Sequence, residues 1–213
     1  MAATTKPSLK VVLCGDFGVG KSSLFRRFVY DTFVENGGRS STLGFDHHDK
    51  TYRVEGKEIA LQLWDTGGLE RVATVTSSYF KYADGAILVF SYDALDSFNA
   101  LSQHLLEVLA SAEHAKIFLC GNKVDLIDKE LGPSEKDVDS FWDQNVMTDG
   151  GNMFRQLYKV SCKSGQGVHA MFEDIARTLA RTCRTDPPPE PEHFQLKREP
   201  PKQNCCTNGV SSE

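Results

Sequence analysis

The chain has 213 residues, with 24 Lys and Arg against 29 Asp and Glu and a formal net charge of −5 at pH 7, a balance that argues against nucleic acid as the main partner. The 40% hydrophobic content suffices for a sizeable core; the chain has no apolar run of about 18 residues and Met1–Lys10 lacks the apolar stretch of a secretory leader, so a cytosolic protein is expected. The six cysteines have spacings that suit neither a zinc motif nor a redox pair, and in a reducing compartment they are expected as free thiols.

The first predicted element is a buried strand over the apolar run Leu9–Cys14. It leads into Gly15-Asp16-Phe17-Gly18-Val19-Gly20-Lys21-Ser22, a complete G-x-x-x-x-G-K-[ST] pattern, then Ser23 and a helix expected over Lys21–Tyr30. The three glycines let backbone N–H groups turn inward around phosphate oxygens at a helix N-terminus. Lys21 adds a point charge for the β- and γ-phosphates, and the Ser22 hydroxyl is a ligand for Mg²⁺. The pattern implies a bound nucleoside di- or triphosphate.

Glu58–Trp64 alternates apolar Ile59, Leu61 and Leu63 with smaller or polar neighbours, and Gly85–Phe90 is a continuous apolar run; both read as strands, the second buried on both faces. Phe98, Leu101, Leu105 and Leu109 recur at helical spacing and read as core. Lys116–Asn122 is a further buried strand, ending in Asn122-Lys123-Val124-Asp125. A carboxylate at Asp125 accepts two parallel bonds from guanine N1 and its 2-amino group. Adenine lacks both donors, and leaving that carboxylate unpaired costs roughly 1.5–3 kcal/mol. Asn122 and the Lys123 stem buttress the loop and cover the base.

Gly132-Pro133-Ser134-Glu135 reads as a turn with Ser134 as a helix N-cap, followed by the apolar stripe Val138, Phe141 and Trp142. Two readings stand for Phe141 and Trp142: packing on the core, or an exposed partner site. Asp149–Asn152 is expected as a flexible surface loop. A strand over Gln156–Val160 precedes Ser161-Cys162-Lys163, which is positioned to offer a backbone N–H to guanine O6. Val168, Met171, Phe172, Ile175 and Leu179 form a last helical core stripe. Strands alternating with helices predict a doubly wound sheet, with ligand outside the carboxyl ends of the strands. From Arg184 onward six of the eight prolines cluster and the charges nearly cancel, so an extended tail without a polybasic anchor is expected.

Taken together, the phosphate loop, Thr42-Leu-Gly-Phe-Asp46, Leu63-Trp64-Asp65-Thr66-Gly67-Gly68-Leu69-Glu70-Arg71, Tyr79–Gly85, Asn122–Asp125 and Ser161–Lys163 resemble the Ras superfamily of small GTPases, with the closest look to the Rab branch. The resemblance implies an α/β P-loop NTPase fold, a mostly parallel six-stranded sheet with helices on both faces. It implies a short N-terminal extension at 1–8, a GTPase domain at 9–183 and a tail at 184–213. It also implies GTP/GDP with Mg²⁺ as ligands, Thr42 as a Mg²⁺ ligand that senses the γ-phosphate, Asp65 holding Mg²⁺ through water, and the Gly68 N–H on the γ-phosphate. Phe33, twelve residues after Lys21, matches the aromatic residue placed edge-on to the guanine. Segments 35–46 and 67–79 would be switches that bind effectors, with an exchange factor and an activating protein as further partners. A monomer is the family default.

The chain departs from the family pattern in several places. Leu69 stands where most small GTPases carry the glutamine that orients the attacking water, and leucine has neither donor nor acceptor. Phe17 puts a ring where a small residue usually adjoins the γ-phosphate; it would crowd both the water and any arginine supplied in trans, an interaction worth about 10³–10⁵ in rate. Slow intrinsic hydrolysis is expected. The Phe33–Thr42 spacing is longer than usual, which leaves Ser40 or Ser41 open as stand-ins for Thr42, and Arg39 open as an internal arginine finger. His47 replaces the usual phenylalanine at the end of the first switch. Cys205-Cys206 resembles the paired cysteines that carry geranylgeranyl groups in Rab proteins, but residues 207–213 follow it; prenylation, palmitoylation and no lipid all stay open. The sequence thus supports a Rab-type switch on the cytosolic face of an endomembrane, or alternatively a largely GTP-loaded scaffold. A P-loop kinase or ATPase is disfavoured by Asn122–Asp125.

Overall fold

A computed structural model describes residues 6–35, 46–67, 80–129, 131–145 and 152–182. Six strands form one sheet: β1 (Ser8–Cys14), β2 (Asp46–Val54), β3 (Lys57–Asp65), β4 (Gly85–Ser91), β5 (Lys116–Asn122) and β6 (Phe154–Lys159), in the order β2-β3-β1-β4-β5-β6. β2 and β3 are antiparallel; every other neighbouring pair is parallel. The helices are α1 (Lys21–Tyr30), α2 (Leu95–Asn99), α3 (Leu101–Ser111), α4 (Glu135–Gln144) and α5 (Val168–Thr182), with a 3-10 turn at Val124–Lys129. The fold class expected from the sequence is the one observed.

Period-two alternation along the central strands sorts their side chains into two cores. Val11 and Leu13 of β1, Ile87 and Val89 of β4, and Phe118 and Cys120 of β5 meet α1 and α5 through Leu24, Phe28, Phe172 and Ile175. Their neighbours Val12, Ala86, Leu88, Phe90, Ile117 and Leu119 meet the opposite layer through Phe98, Leu101, Leu105, Val108 and Val138. All seven residues of β4 are buried, as a strand covered on both faces requires. The edge strand β2 differs: its first four residues, Asp46, His47, His48 and Asp49, are all exposed.

Ser134 caps α4 as expected. Its Oγ accepts from the Asp137 N–H at 3.2 Å while the Asp137 carboxylate accepts from the Ser134 N–H at 2.8 Å, a reciprocal capping box. Phe141 and Trp142 take the core reading: Phe141 lies 5.4 Å from Phe98 edge-on, and Trp142 stacks 6.0 Å from Phe154. The stripe from Phe98 to Leu109 is broken into two helices at Ala100. The last strand begins at Phe154, two residues before the expected Gln156, because the Asn152 side chain accepts the Phe154 N–H and Phe154 pairs with Ile117. Of the expected loop at 149–152 only Asn152 lies within the described residues. Burial pushes the thiols of Cys14 and Cys162 up to about 12 and that of Cys120 well above its usual value, and all three are free. Among the described residues no helix is long and apolar enough to cross a membrane.

Leu61→Ala, at a site with no exposure, should cost about 2–5 kcal/mol through lost transfer energy and a residual cavity. Leu106→Ala, at a residue of α3 that is 67% exposed, should stay within about 0.5 kcal/mol. Urea unfolding of the nucleotide-loaded protein checks both: the midpoint should fall for Leu61→Ala alone, with the slope unchanged.

Candidate nucleotide-binding site

β1 ends at Cys14, and the chain turns sharply at Gly15, whose φ is +139°. A Cβ there would sit 2.2 Å from the Val89 carbonyl oxygen, so the turn is closed to any side chain. At Gly20, the residue before α1, φ is +102° and a Cβ would meet Asn122 Nδ2 at 2.3 Å. Between these two glycines Phe17 is 38% exposed. Lys21 is buried, its ammonium donating to the Gly15 carbonyl at 2.6 Å and the Asp16 carbonyl at 2.8 Å. The ammonium therefore lies against the concave loop, where phosphate oxygens would complete its shell.

Asn122, at the end of β5 and 1% exposed, ties two loops together. Its Nδ2 donates to the Val19 carbonyl of the phosphate loop at 2.8 Å, and its Oδ1 accepts the Cys162 N–H at 3.1 Å. Lys123 follows with φ +64° and donates to both carboxylate oxygens of Asp93 at 3.0 Å. Burial alone would raise the Asp93 carboxyl, but hydrogen bonds from Ser91 and Lys123 outweigh it and hold the group below its usual value. The Asp125 carboxylate accepts from Ser161 Oγ at 2.5 Å, which fixes it beside the 161–163 loop. In that loop the Ser161 amide donates to the Gln166 carbonyl and the Cys162 amide to Asn122; the Lys163 amide has no partner among the described residues.

Asp65 closes the other side. It is 2% exposed and accepts from the Ser22 hydroxyl and from the Gly67 N–H, the latter at 3.0 Å. Burial raises its carboxyl pKa, and those two bonds with the Lys21 charge offset this only in part. A hydroxyl and a buried carboxylate in contact are hard oxygen donors of the kind Mg²⁺ takes. Phe33 is half-buried against the α1–α5 core.

Three contributors were not legible from the sequence. Arg27 of α1 donates from Nε to the Cys162 carbonyl and from an Nη to the Lys163 carbonyl, both at 2.7 Å, pinning the 161–163 loop to the helix that carries the phosphate loop. Asp93 anchors Lys123. His104 of α3 reaches Asp16 of the phosphate loop, Nε2 to Oδ1 at 2.9 Å. No local pattern marks any of them, since each partner lies at least 30 residues away. Of the expected site residues, Thr42, Gly68, Leu69, Cys205 and Cys206, together with Arg39, Ser40 and Ser41, lie outside the described residues.

The model of the Ras family matches residues 10–181, most of the chain. The chain belongs to the Ras family. Within it the chain is a Rab-like small GTPase, and Ras-family GTPases bind GTP and GDP, generally with Mg²⁺. GTP-binding protein ypt1 of Schizosaccharomyces pombe is 46% identical over 123 residues, 57% of this chain and 60% of that relative. Ras-related protein Rab-1D of Dictyostelium discoideum is 37% identical over 190 residues, 88% of each chain. Ras-related protein RABD2a of Arabidopsis thaliana is 34% identical over 204 residues, 93% of this chain and 95% of that one.

Asn122→Ala leaves a carbonyl and an amide of two buried residues unpaired, at about 1–3 kcal/mol each. GDP and GTP should lose affinity together, by at least about tenfold in Kd. Competition binding with a fluorescent guanine nucleotide checks this; loss of GTP affinity alone would show that Asn122 acts at the γ-phosphate instead.

Proposed function

We propose that this chain is a Rab-type guanine-nucleotide switch in membrane trafficking that holds GTP and cleaves it slowly. The observation that supports the nucleotide reading is the Asn122 bridge, which ties the phosphate loop to the 161–163 loop; in this reading one nucleotide spans the two. In this reading Gly15–Ser23 wraps the phosphates, Lys21 neutralises the β- and γ-oxygens, and Asp125 accepts the guanine N1 and 2-amino protons. The Lys163 amide, without a partner among the described residues, is the donor for guanine O6. Phe33 covers the base edge. Ser22, Asp65 and Thr42 hold Mg²⁺, which when bound neutralises charge on the phosphate oxygens. The GTPase domain spans 9–183, with segments 35–46 and 67–79 as effector-binding switches and the tail from 184 as the membrane tether if Cys205 and Cys206 carry lipid. An exchange factor loads GTP on the cytosolic face of an endomembrane, and an activating protein is a further partner.

Slow cleavage rests on Leu69 and Phe17. Leucine cannot position the attacking water, and the exposed Phe17 ring stands on the phosphate loop where a catalytic arginine would enter. Loss of one positioned hydrogen-bonding group at a developing charge costs about 10²–10³ in rate. Single-turnover hydrolysis of preloaded GTP should therefore be barely measurable in the natural chain and rise, up to that factor, in Leu69→Gln. Fast hydrolysis in the natural chain, unchanged by Leu69→Gln, would sink the reading. A rate that stays low in Leu69→Gln but rises on adding Phe17→Gly would shift the block to the ring.

A further inference from the structure

Behind the phosphate loop, three side chains converge, and only one of them, His104, also braces that loop through its bond to Asp16. Cys14 ends β1, while His104 and Glu107 stand three residues apart on one face of α3. The Cys14 Sγ, a ring nitrogen of His104 and a carboxylate oxygen of Glu107 all lie within 4.8 Å of one another. Cys14 and His104 are buried, His104 to 7% exposure. Among the described residues His104 Nδ1 has no hydrogen-bond partner although it is buried. It lies 3.5 Å from Glu107 Oε2, too poorly placed for a bond. The opposite nitrogen is engaged: Nε2 meets Asp16 Oδ1 at 2.9 Å. An ionised carboxylate only accepts, so in a neutral ring Nε2 carries the proton and Nδ1 presents a lone pair. That arrangement, a carboxylate fixing one ring nitrogen and the other left as donor, is how metal-binding histidines are held.

We propose that Cys14, His104 and Glu107 form a binding site for a borderline-soft divalent cation, Zn²⁺ being the best match, with Asp16 as the outer residue that orients His104. Thiolate, imidazole and carboxylate together are a zinc donor set, and three protein ligands leave a fourth position for water. Ligands at zinc bond lengths of about 2.0–2.3 Å stand roughly 3.5 Å apart in a tetrahedron, the separation His104 Nδ1 and Glu107 Oε2 already have at 3.5 Å, and binding would draw in the rest of the cluster from within 4.8 Å. The Glu107 side chain is 42% exposed, which gives the cation a path in. Coordination deprotonates a thiol outright, so the cation takes the place of the proton that the buried Cys14 otherwise keeps. Ninety positions separate Cys14 from His104, which is why cysteine spacing gives no hint of the site. The bound ion would clasp α3 to the strand that carries the phosphate loop. This site is independent of the rate of GTP hydrolysis.

The test uses the full chain with Cys205→Ser and Cys206→Ser, loaded with GDP in excess Mg²⁺ and titrated with Co²⁺. Thiolate-to-cobalt charge-transfer absorption should saturate at a single equivalent and be bleached by a single equivalent of Zn²⁺. Cys14→Ala and His104→Phe should abolish the band. Glu107→Gln should retain GDP yet weaken Zn²⁺ binding by at least about tenfold, the scale on which even outer partners act; it decides the matter if the two buried variants fail to hold nucleotide. No band in the parent, or a band that persists in Cys14→Ala, overturns the proposal. So does unchanged Zn²⁺ affinity in Glu107→Gln, which would make His104 a plain structural bridge between Asp16 and Glu107.

Discussion

The side-chain amide of Asn122 is the constraint from which the site is built. It touches both the loop shaped for phosphate and the loop shaped for the base, with a donor and an acceptor on two separate atoms, which neither an ionised carboxylate nor a single hydroxyl offers. Everything nearby accommodates it. Gly20 lacks a side chain because a Cβ would collide with that amide. β5 ends at that residue, so the rigid centre of the sheet fixes its position to within a packed core. Lys123 then takes a left-handed backbone, a cost offset by its ion pair with Asp93 and the following turn.

A second tier of contacts holds the assembly from behind. Arg27 links α1 to the 161–163 loop and His104 links α3 to Asp16, so the base loop is braced from one layer of helices and the phosphate loop from the other. Charged donors to buried carbonyls are among the stronger hydrogen bonds available. The Arg27 fork bonds the carbonyls of two consecutive residues, buried Cys162 and exposed Lys163, which restrains the base loop in position as well as in angle.

What the sequence made legible was whatever a short stretch determines alone. Leu9–Cys14 followed by Gly15–Ser22 announces strand, turn and helix, because only glycine tolerates the backbone at Gly15 and Gly20. The N-cap at Ser134 was equally local. The apolar runs of β4 and β5 revealed buried strands but not which helix each side chain would meet. Phe154 was missed as a strand residue because the Asn152 side chain, not residue propensity, starts the strand. Arg27, Asp93 and His104 could not be read at all, since their partners come from distant segments and a lone arginine or histidine on a helix has many ordinary fates. The roles of Thr42, Gly68 and Leu69 rest on pattern alone, as they fall outside the described residues.

The exposed, charge-studded start of β2 has a consequence for how this molecule meets others. An open sheet edge bearing Asp46, His47, His48 and Asp49 is a poor template for a strand from a second copy, because matching like charges side by side is unfavourable. The same edge adjoins the first of the two candidate switch segments. A partner that docks there must neutralise fixed charge rather than extend the sheet, so its grip will loosen as ionic strength rises, and self-association along this edge is discouraged by the residues that make it recognisable.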